Sequence, residues 1–469
     1  MKKTAAFLFS TLLLLSMTMS SCYWRPFNSG GLRVDVSGIA ARVGNPSDVI
    51  RVFLIADGLL FSTGGGVPFT AEVPASGDSQ EQKINISGLP VGPKYRVMVG
   101  VGLVNGEVFQ PDSYGDSGEF LINPNADTSV TVTLNSVPLL ASYSPDLLGK
   151  PLKGLVDDFS SIFTAEEKQA YYTYFDRLLS TWSFEADLTL SGYSIRGLSK
   201  SSLYRNTALD TNKGILPFFR GTGWTFETAF SQGEGGSVDI AQSASFGVPG
   251  TDIDYAVFFR RQNGLGGTYV LNQDYSVPSA WKWVNVDLSG VRDLIVSQHN
   301  AYYAAGGAVF ALPPAFLSDV LSGNPPNLEA HRIDLPSPAP VLSLGFRPDP
   351  LGLPGGTLTL GTSDGVYQAA LDELVSAQLA PGPTHIAETA GDIIERIAIS
   401  SYNSRAEAYL SRYYLYIRNW NGSNYYVDKT PFFAVVPGRA TGLAWDSNGT
   451  LFISGTEGLS AVYVGYSAC

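Results

Sequence analysis

Few residues in this chain are of the types and spacings that do chemistry. The three histidines, His299, His331 and His385, stand far apart, with no HExxH, no pair at helical spacing and no cysteine partner. That pattern does not make a zinc site. Glu388 follows His385 closely, but such a pair is too common to count, and surface or hydrogen-bonded interior histidines are the simpler reading. Gly361-Thr362-Ser363-Asp364-Gly365 matches G-x-S-x-G, the turn that presents a nucleophilic serine. A nucleophile elbow needs a strand before it and a helix after it. Val366-Tyr367-Gln368 reads as another strand, so a tight turn between strands is expected instead. Asp446-Ser447-Asn448-Gly449 echoes half of a calcium loop without its third ligand in register or its closing glutamate, and a hairpin turn is the better reading. Asp252 and Asp254 would share one face of a strand, where they could meet a cation, although no further ligands accompany them. No Walker loop and no strand–GxGxxG–helix unit occurs, and Asn263-Gly264-Leu265-Gly266-Gly267 reads as a hairpin loop. Catalytic, cofactor-binding and metal-binding residues are therefore all assigned as none.

Cysteine is the exception. Only Cys22 and Cys469 occur. Lys2 and Lys3, the apolar run Ala5 to Leu15, and Met19-Ser20-Ser21 before Cys22 read as a lipoprotein signal peptide over residues 1–21, with the Cys22 thiol as acceptor for a diacylglyceryl group. Met19 stands where leucine is usual, and an ordinary secretory leader is the alternative. The apolar run is too short to span a bilayer, and no later stretch approaches about 20 apolar residues. Attachment to the membrane is thus expected through lipid on Cys22 alone, several acyl chains being needed for a durable hold. Acylated Cys22 leaves Cys469 a free thiol. The expected address is a bacterial cell envelope, lipid-anchored to the inner or outer membrane, on its periplasmic or its outer side.

The elements that carry these residues are read from composition and period. At 469 residues the chain exceeds what one core organises. Charged residues make up only 15%, while Gly (50), Pro (28), Tyr (24) and Phe (25) are abundant, which favours short strands and tight turns. A net charge of −12, more negative once Lys2 and Lys3 are lost, argues against nucleic acid as a partner and against anionic lipid headgroups. Residues 22–31 read as a tether. Residues 32–140 alternate in the strand period, with Val34 and Val36, Val52 and Leu54, Ile84 and Ile86, Val97, Val99 and Val101 as examples, so a β-sandwich of about seven strands is expected. Residues 141–185 read as a linker and an amphipathic helix: Thr164-Ala165-Glu166-Glu167 has the form of a capping box, and Tyr171, Tyr174, Phe175, Leu178, Leu179 and Trp182 recur at helical spacing.

From residue 186 to 469 strand-like runs return with an internal echo. Gly356-Thr357-Leu358-Thr359-Leu360-Gly361-Thr362-Ser363-Asp364-Gly365-Val366 aligns without a gap on Gly449-Thr450-Leu451-Phe452-Ile453-Ser454-Gly455-Thr456-Glu457-Gly458-Leu459. Half of their separation is close to one β-propeller blade, roughly 40 to 45 residues plus loops. About six blades fit the space, although Lys200 to Gly223 is poorly patterned. Fainter echoes are Asn300 to Phe310, Tyr255 to Phe259 and Tyr413 to Ile417.

Two resemblances follow from these residues. Ile86-Ser87-Gly88-Leu89-Pro90-Val91-Gly92-Pro93-Lys94-Tyr95-Arg96-Val97 resembles a hairpin of the prealbumin-like and Cna-B-like immunoglobulin-type modules of bacterial surface proteins, which implies a spacer or presenting domain. Leu443 to Ile453 with Gly458-Leu459 resembles the blade hairpin of NHL-like and two-component-regulator-type propellers, in which Asn448-Gly449 would supply the positive φ angles of the turn. Together these readings give a mostly β protein: an N-terminal sandwich, a short helix and a C-terminal β-propeller of about six blades. The function they imply is a lipid-anchored binding or scaffold module whose propeller face docks a protein or polysaccharide partner. The alternatives are a propeller enzyme of lactonase or sugar-dehydrogenase type with a metal at the central channel, and a scaffold similar to the lipoprotein propeller of the barrel-insertion machinery. High aromatic density around Trp420, Tyr425 and Tyr426, and around Tyr302 and Tyr303, is read as core between blades, with exposed rings available to sugars or peptide.

Overall fold

The structure is a computed structural model. It describes residues 29–37, 48–57, 59–60, 70–75, 81–105, 108–124, 126–139, 141–158, 161–201, 206–219, 225–226, 239–247, 255–261, 266–271, 281–284, 290–297, 300–312, 319, 322–324, 327, 332–333, 339–348, 356–372, 378–379, 384–400, 406–420 and 424–463. The leader, Cys22, the tether before Ser29, Asp252, Asp254, His299, His331 and Cys469 lie outside the described residues. Among the described residues no helix is long and apolar enough to cross a membrane. The chain divides into two units, Met1–Val137 and Pro138–Cys469.

In the first unit, strand Ser29–Ser37 pairs antiparallel with Glu81–Pro90 and parallel with Asp127–Thr133. A second sheet runs through Val49–Ala56, Lys94–Asn105 and Val108–Leu121. Leu32, Val34 and Val36 of the first sheet share one buried cluster with Ile50, Val52, Leu54, Val97, Val99 and Val101 of the second. Ser29–Ser37 alternates because it turns one face to that cluster, whereas Val49–Ala56 and Lys94–Asn105 are covered on the other face too, Phe53, Ile55 and Met98 being buried. The Gly88 to Tyr95 segment does not close a hairpin. Its two strands belong to different sheets, so it carries the chain from one sheet to the other. Gly88 (φ 76°) and Gly92 (φ 125°) make the corner, and the buried Tyr95 ties it by donating its hydroxyl to the Pro90 carbonyl at 2.8 Å.

Among the described residues the second unit holds six sheets, one of them eight-stranded; divided at its single parallel bridge, that sheet brings the count to seven antiparallel blades of about four strands, numbered here blade 1 to blade 7. Blade 1 is Leu155–Asp158, Ser161–Ala165, Gln169–Asp176 and Thr181–Thr189. Blade 2 begins with Ile195–Ser201 and blade 3 with Ile240–Gly247, a single parallel bridge between Ser201 and Ser245 joining the two. Blade 4 contains Val291–Val296, Ala301–Ala305, Ala308–Leu312 and Arg332–Ile333. Blade 5 contains Val341–Pro348, Gly356–Thr362 and Gly365–Asp372, with Gln378–Leu379 and Thr384–Ile386 both on the third strand. Blade 6 is Ile394–Ile399, Glu407–Ser411, Tyr414–Trp420 and Tyr425–Pro431. Blade 7 is Ala440–Trp445, Thr450–Gly455 and Gly458–Tyr463, completed by Ala141–Tyr143 from the start of the unit.

No described sheet closes on itself; the succession of sheets closes. The first strand of each blade packs on the first strand of the next, and that of blade 7 packs on that of blade 1, which is the arrangement of a β-propeller. In six blades the first strand slips register against the second at its second residue: Arg196, Ala241, Arg292, Leu342, Glu395 and Thr441. Such bulges re-aim the residue that follows. Gln242 donates to Asp293 Oδ1 (2.7 Å) and the Leu294 carbonyl (3.0 Å), Asp293 Oδ2 accepts from the Leu344 amide (2.8 Å), and Ser343 Oγ donates to the Ile394 carbonyl (3.3 Å), each in the next blade.

Three expectations are corrected. The amphipathic helix does not form. Residues 161–189 make three strands, and Thr164 donates its hydroxyl to the Gly154 carbonyl at 2.7 Å instead of capping a helix, while the Glu166 amide closes a turn onto the Gln169 carbonyl. Ala170 to Thr173 and Phe175 are all buried because a blade is covered on both faces, so period-2 alternation vanishes and dense aromatic positions fall at helical spacing by chance. Among the described residues there are seven blades rather than about six, since the stretch assigned to the linker and helix builds blade 1 and completes blade 7. Lys200 to Gly223 also holds blade strands, Asn206–Thr211 and Gly214–Phe219, joined by the same Thr-x-x-Gly turn as Thr362 to Gly365.

Candidate functional site

Polar side chains inside a propeller stand out because strands covered on both faces are otherwise apolar. One such group among the described residues joins blades 5 and 6. Glu407, the first residue of the second strand of blade 6, has no exposed surface. Strand pairing sets Arg418 directly across from it, and the period of two puts Tyr409 on the same face. Blade 5 supplies Arg347, near the end of its first strand, and Gln368, on its third.

Glu407 Oε1 accepts from Arg347 Nη1 at 2.7 Å. Its Oε2 accepts from Gln368 Nε2 at 2.7 Å, from Arg418 Nη1 at 3.3 Å and from the Tyr409 hydroxyl. The same Arg418 Nη1 donates to Gln368 Oε1 at 2.8 Å, and Gln368 Nε2 also reaches Thr359 Oγ1. The Tyr425 ring lies against the Arg418 guanidinium, its centroid 3.7 Å from the guanidinium carbon, and its hydroxyl accepts from Arg347 Nη1 at 3.3 Å; Trp420 meets the ring edge-on at 4.9 Å. Tyr425 is 37% exposed, whereas the two arginine side chains are 15% (Arg347) and 13% (Arg418) exposed. Burial first, and then the Glu407 charge, push the Tyr409 phenol well above its ordinary range, so it serves as a neutral donor.

What this cluster offers a ligand is guanidinium N–H donors and an aromatic ring. Two guanidiniums repel a metal cation, and the carboxylate is occupied by four donors. What remains is a pair of arginines braced from below, beside an exposed tyrosine.

The residues singled out by spacing fall elsewhere. Ser363 and Asp364 form the two-residue turn between strands of blade 5, as read from G-x-S-x-G, and Thr362 Oγ1 donates to the Gly365 carbonyl at 2.9 Å across it. Asp446 is a turn residue: its Oδ1 accepts the amides of Asn448 (2.9 Å) and Thr450 (2.7 Å), and Gly449 takes φ 77°. Among the described residues no group of three or more His, Cys, Asp or Glu could hold a metal. His385 stacks on Tyr367 at 4.5 Å with Nε2 3.1 Å from the Asp364 carbonyl. Gly266 and Gly267 open the third strand of blade 3 after a hairpin. Tyr302 and Tyr303 are buried between blades. Sequence reasoning noted Trp420 and Tyr425 but missed Arg347, Gln368, Glu407 and Arg418, which sit in three separate stretches. The one available signal was charge inside apolar strands, as in Ala406-Glu407-Ala408 and Ile417-Arg418.

No family profile matches the chain, and no curated protein matches it by sequence. Among solved structures it is similar to the β-propeller domain of Cps50 (Swd1) from Myceliophteria thermophila, at 8% identity and TM-score 0.46 over 69% of this chain and 100% of that one. The WD40 β-propeller domain of Doa1 is a second, at 10% identity and TM-score 0.43 over 71% and 98% of the respective chains. The ring of blades is read from the strand pairing, not from these likenesses.

Proposed function

We propose that this chain is a binding module of the bacterial envelope, in which the propeller docks a protein partner through the Arg347, Arg418 and Tyr425 patch. The observation that carries the reading is the bracing of both arginines by a fully buried carboxylate. Arginine and tyrosine are the residue types that dominate interface energetics, and a side chain already fixed in the free protein loses little entropy on binding. Lipid on Cys22 would hold the chain at a membrane, with the Ser29 to Val137 unit as an immunoglobulin-like spacer.

The test is crosslinking in intact envelopes, capture of the lipidated protein, and metal analysis of the same sample. A protein partner at near-stoichiometric yield, lost in Arg347→Ala with Tyr425→Ala, supports docking. A solitary chain carrying about one calcium overturns it. Metabolic labelling with a palmitate analogue tests the anchor, and loss of label in Cys22→Ser is the expected outcome.

A further inference from the structure

The third and fourth strands of blade 1 join through Arg177-Leu178-Leu179-Ser180. Leu178 is 95% and Leu179 71% exposed, the two highest values for large apolar side chains among the described residues. The turn that presents them is held by other groups. Asp176 Oδ1 accepts from the amides of both leucines, at 2.8 Å and 3.1 Å, and Ser180 turns the chain back at φ 52°. Its root is packed: the Trp182 ring lies 4.8 Å from Phe175 and 5.9 Å from Phe452 of blade 7, and Trp182 Nε1 donates to Ser142 Oγ at 3.1 Å. Register carries the tip clear of its own blade. Asp158, Ser161, Tyr174 and Ser183 form one row across the four strands, and the hairpin continues for two more pairs, Phe175 with Trp182 and Asp176 with Thr181, before it turns. Two pairs amount to about 7 Å. No charged residue occurs from Leu178 to Phe184.

Area and charge decide what covers two leucines on such a tip. A folded partner or a second copy needs roughly 800 Å² of complementary surface on each side, far more than a four-residue turn presents, and leucine is sparse among the residues that anchor those interfaces. A bilayer needs no matching pocket, only apolar side chains leading and uncharged polar ones behind them. Leu178 and Leu179 lead, and the exposed Ser180, Thr181 and Ser183 follow. The cation beside the tip, Arg177, acts on Asp446 of blade 7, and the chain as a whole carries −12, so anionic headgroups are disfavoured and zwitterionic ones fit.

We propose that the Leu178-Leu179 tip of blade 1 dips into the surface of a zwitterionic phospholipid bilayer and holds that edge of the propeller against it. The inference rests on neither the arginine patch nor the lipid on Cys22. The test uses the full chain with Cys22→Ser and Cys469→Ser, a polarity-sensitive fluorophore on Thr181→Cys, and phosphatidylcholine vesicles with and without doxyl-labelled lipid. Blue-shifted emission quenched by the doxyl lipid is expected. Adding Leu178→Ser and Leu179→Ser should lower the inserted fraction about tenfold or more, and Leu178→Phe with Leu179→Phe should keep it; the phenylalanine pair decides the matter if the serine pair does not fold. The label, not attachment of the chain, is the readout, so contact through the apolar leader does not count. An unshifted label, equal quenching in the serine variant, or stronger quenching in anionic phosphatidylglycerol vesicles overturns the proposal. So does a dimer in sedimentation that the serine variant abolishes, because a second copy then covers the tip. A crosslinked partner without tip insertion removes this inference alone, and insertion without a partner removes the docking role alone.

Discussion

Glu407 illustrates how much one buried side chain can be asked to hold. It accepts from two guanidiniums, an amide and a phenol across two blades, so its neutral replacement leaves arginines without their counter-charge. Glu407→Gln is expected to cost about 3–5 kcal/mol, read as a lower urea midpoint of the propeller. A midpoint shift equivalent to under about 1 kcal/mol would mean that the pair is solvated and the arginines are not braced. Asp446 behaves differently, since burial raises its pKa above the ordinary aspartate value and its hydrogen bonds only partly offset that. A raised folded pKa means that the native state holds the proton more tightly than the unfolded chain. Its contribution is thus full below about pH 4 and is lost as pH rises through the folded value. Asp446→Asn keeps an acceptor for the Asn448 and Thr450 amides without the buried charge. Its stability relative to the parent should rise between pH 4 and pH 7 in parallel thermal melts.

At the scale of elements, the second-to-third strand hairpins are the unit that repeats. Residues 356–366 and 449–459 echo one another because both are a second strand, a two-residue turn and a third strand, two blades apart. The turn needs a glycine at positive φ, 105° at Gly365 and 138° at Gly458, and this requirement survives where the rest of the pattern drifts. Gly365→Ala would set a Cβ 2.8 Å from the Thr389 carbonyl, and a loss of more than about 1 kcal/mol is expected by chemical denaturation. Ring closure depends on the opposite kind of element, the short segment from Ala141 to Leu152. Its amides at Ser144, Gly149 and Leu152 bond to blade 7, and Leu147 is wholly buried there. Leu147→Ala should destabilise the propeller by about 2–5 kcal/mol, and calorimetry should show a broader transition as closure loosens. Nothing local marks this segment, since its pairing partner lies more than three hundred residues away.

For the whole molecule, the two units have separate cores and separate sheets. Two unfolding transitions are expected in calorimetry, with first cleavage by a non-specific protease near Val137. A single cooperative transition would show that the units are energetically one.

Composition, strand period and the glycine-centred turns by themselves determined a mostly β chain, a change of architecture after the first hundred residues or so, and a repeat of blade length. These are local properties, set by which backbone angles and which face each residue can accept. The conversion of the Thr164 to Trp182 stretch from apparent helix to blade, the seventh blade, the closure by Ala141–Tyr143 and the Arg347–Glu407–Arg418 cluster were decided only by tertiary structure. Burial on both faces erases the period that marks a strand, and a ring brings together residues whose separation along the chain leaves no local trace.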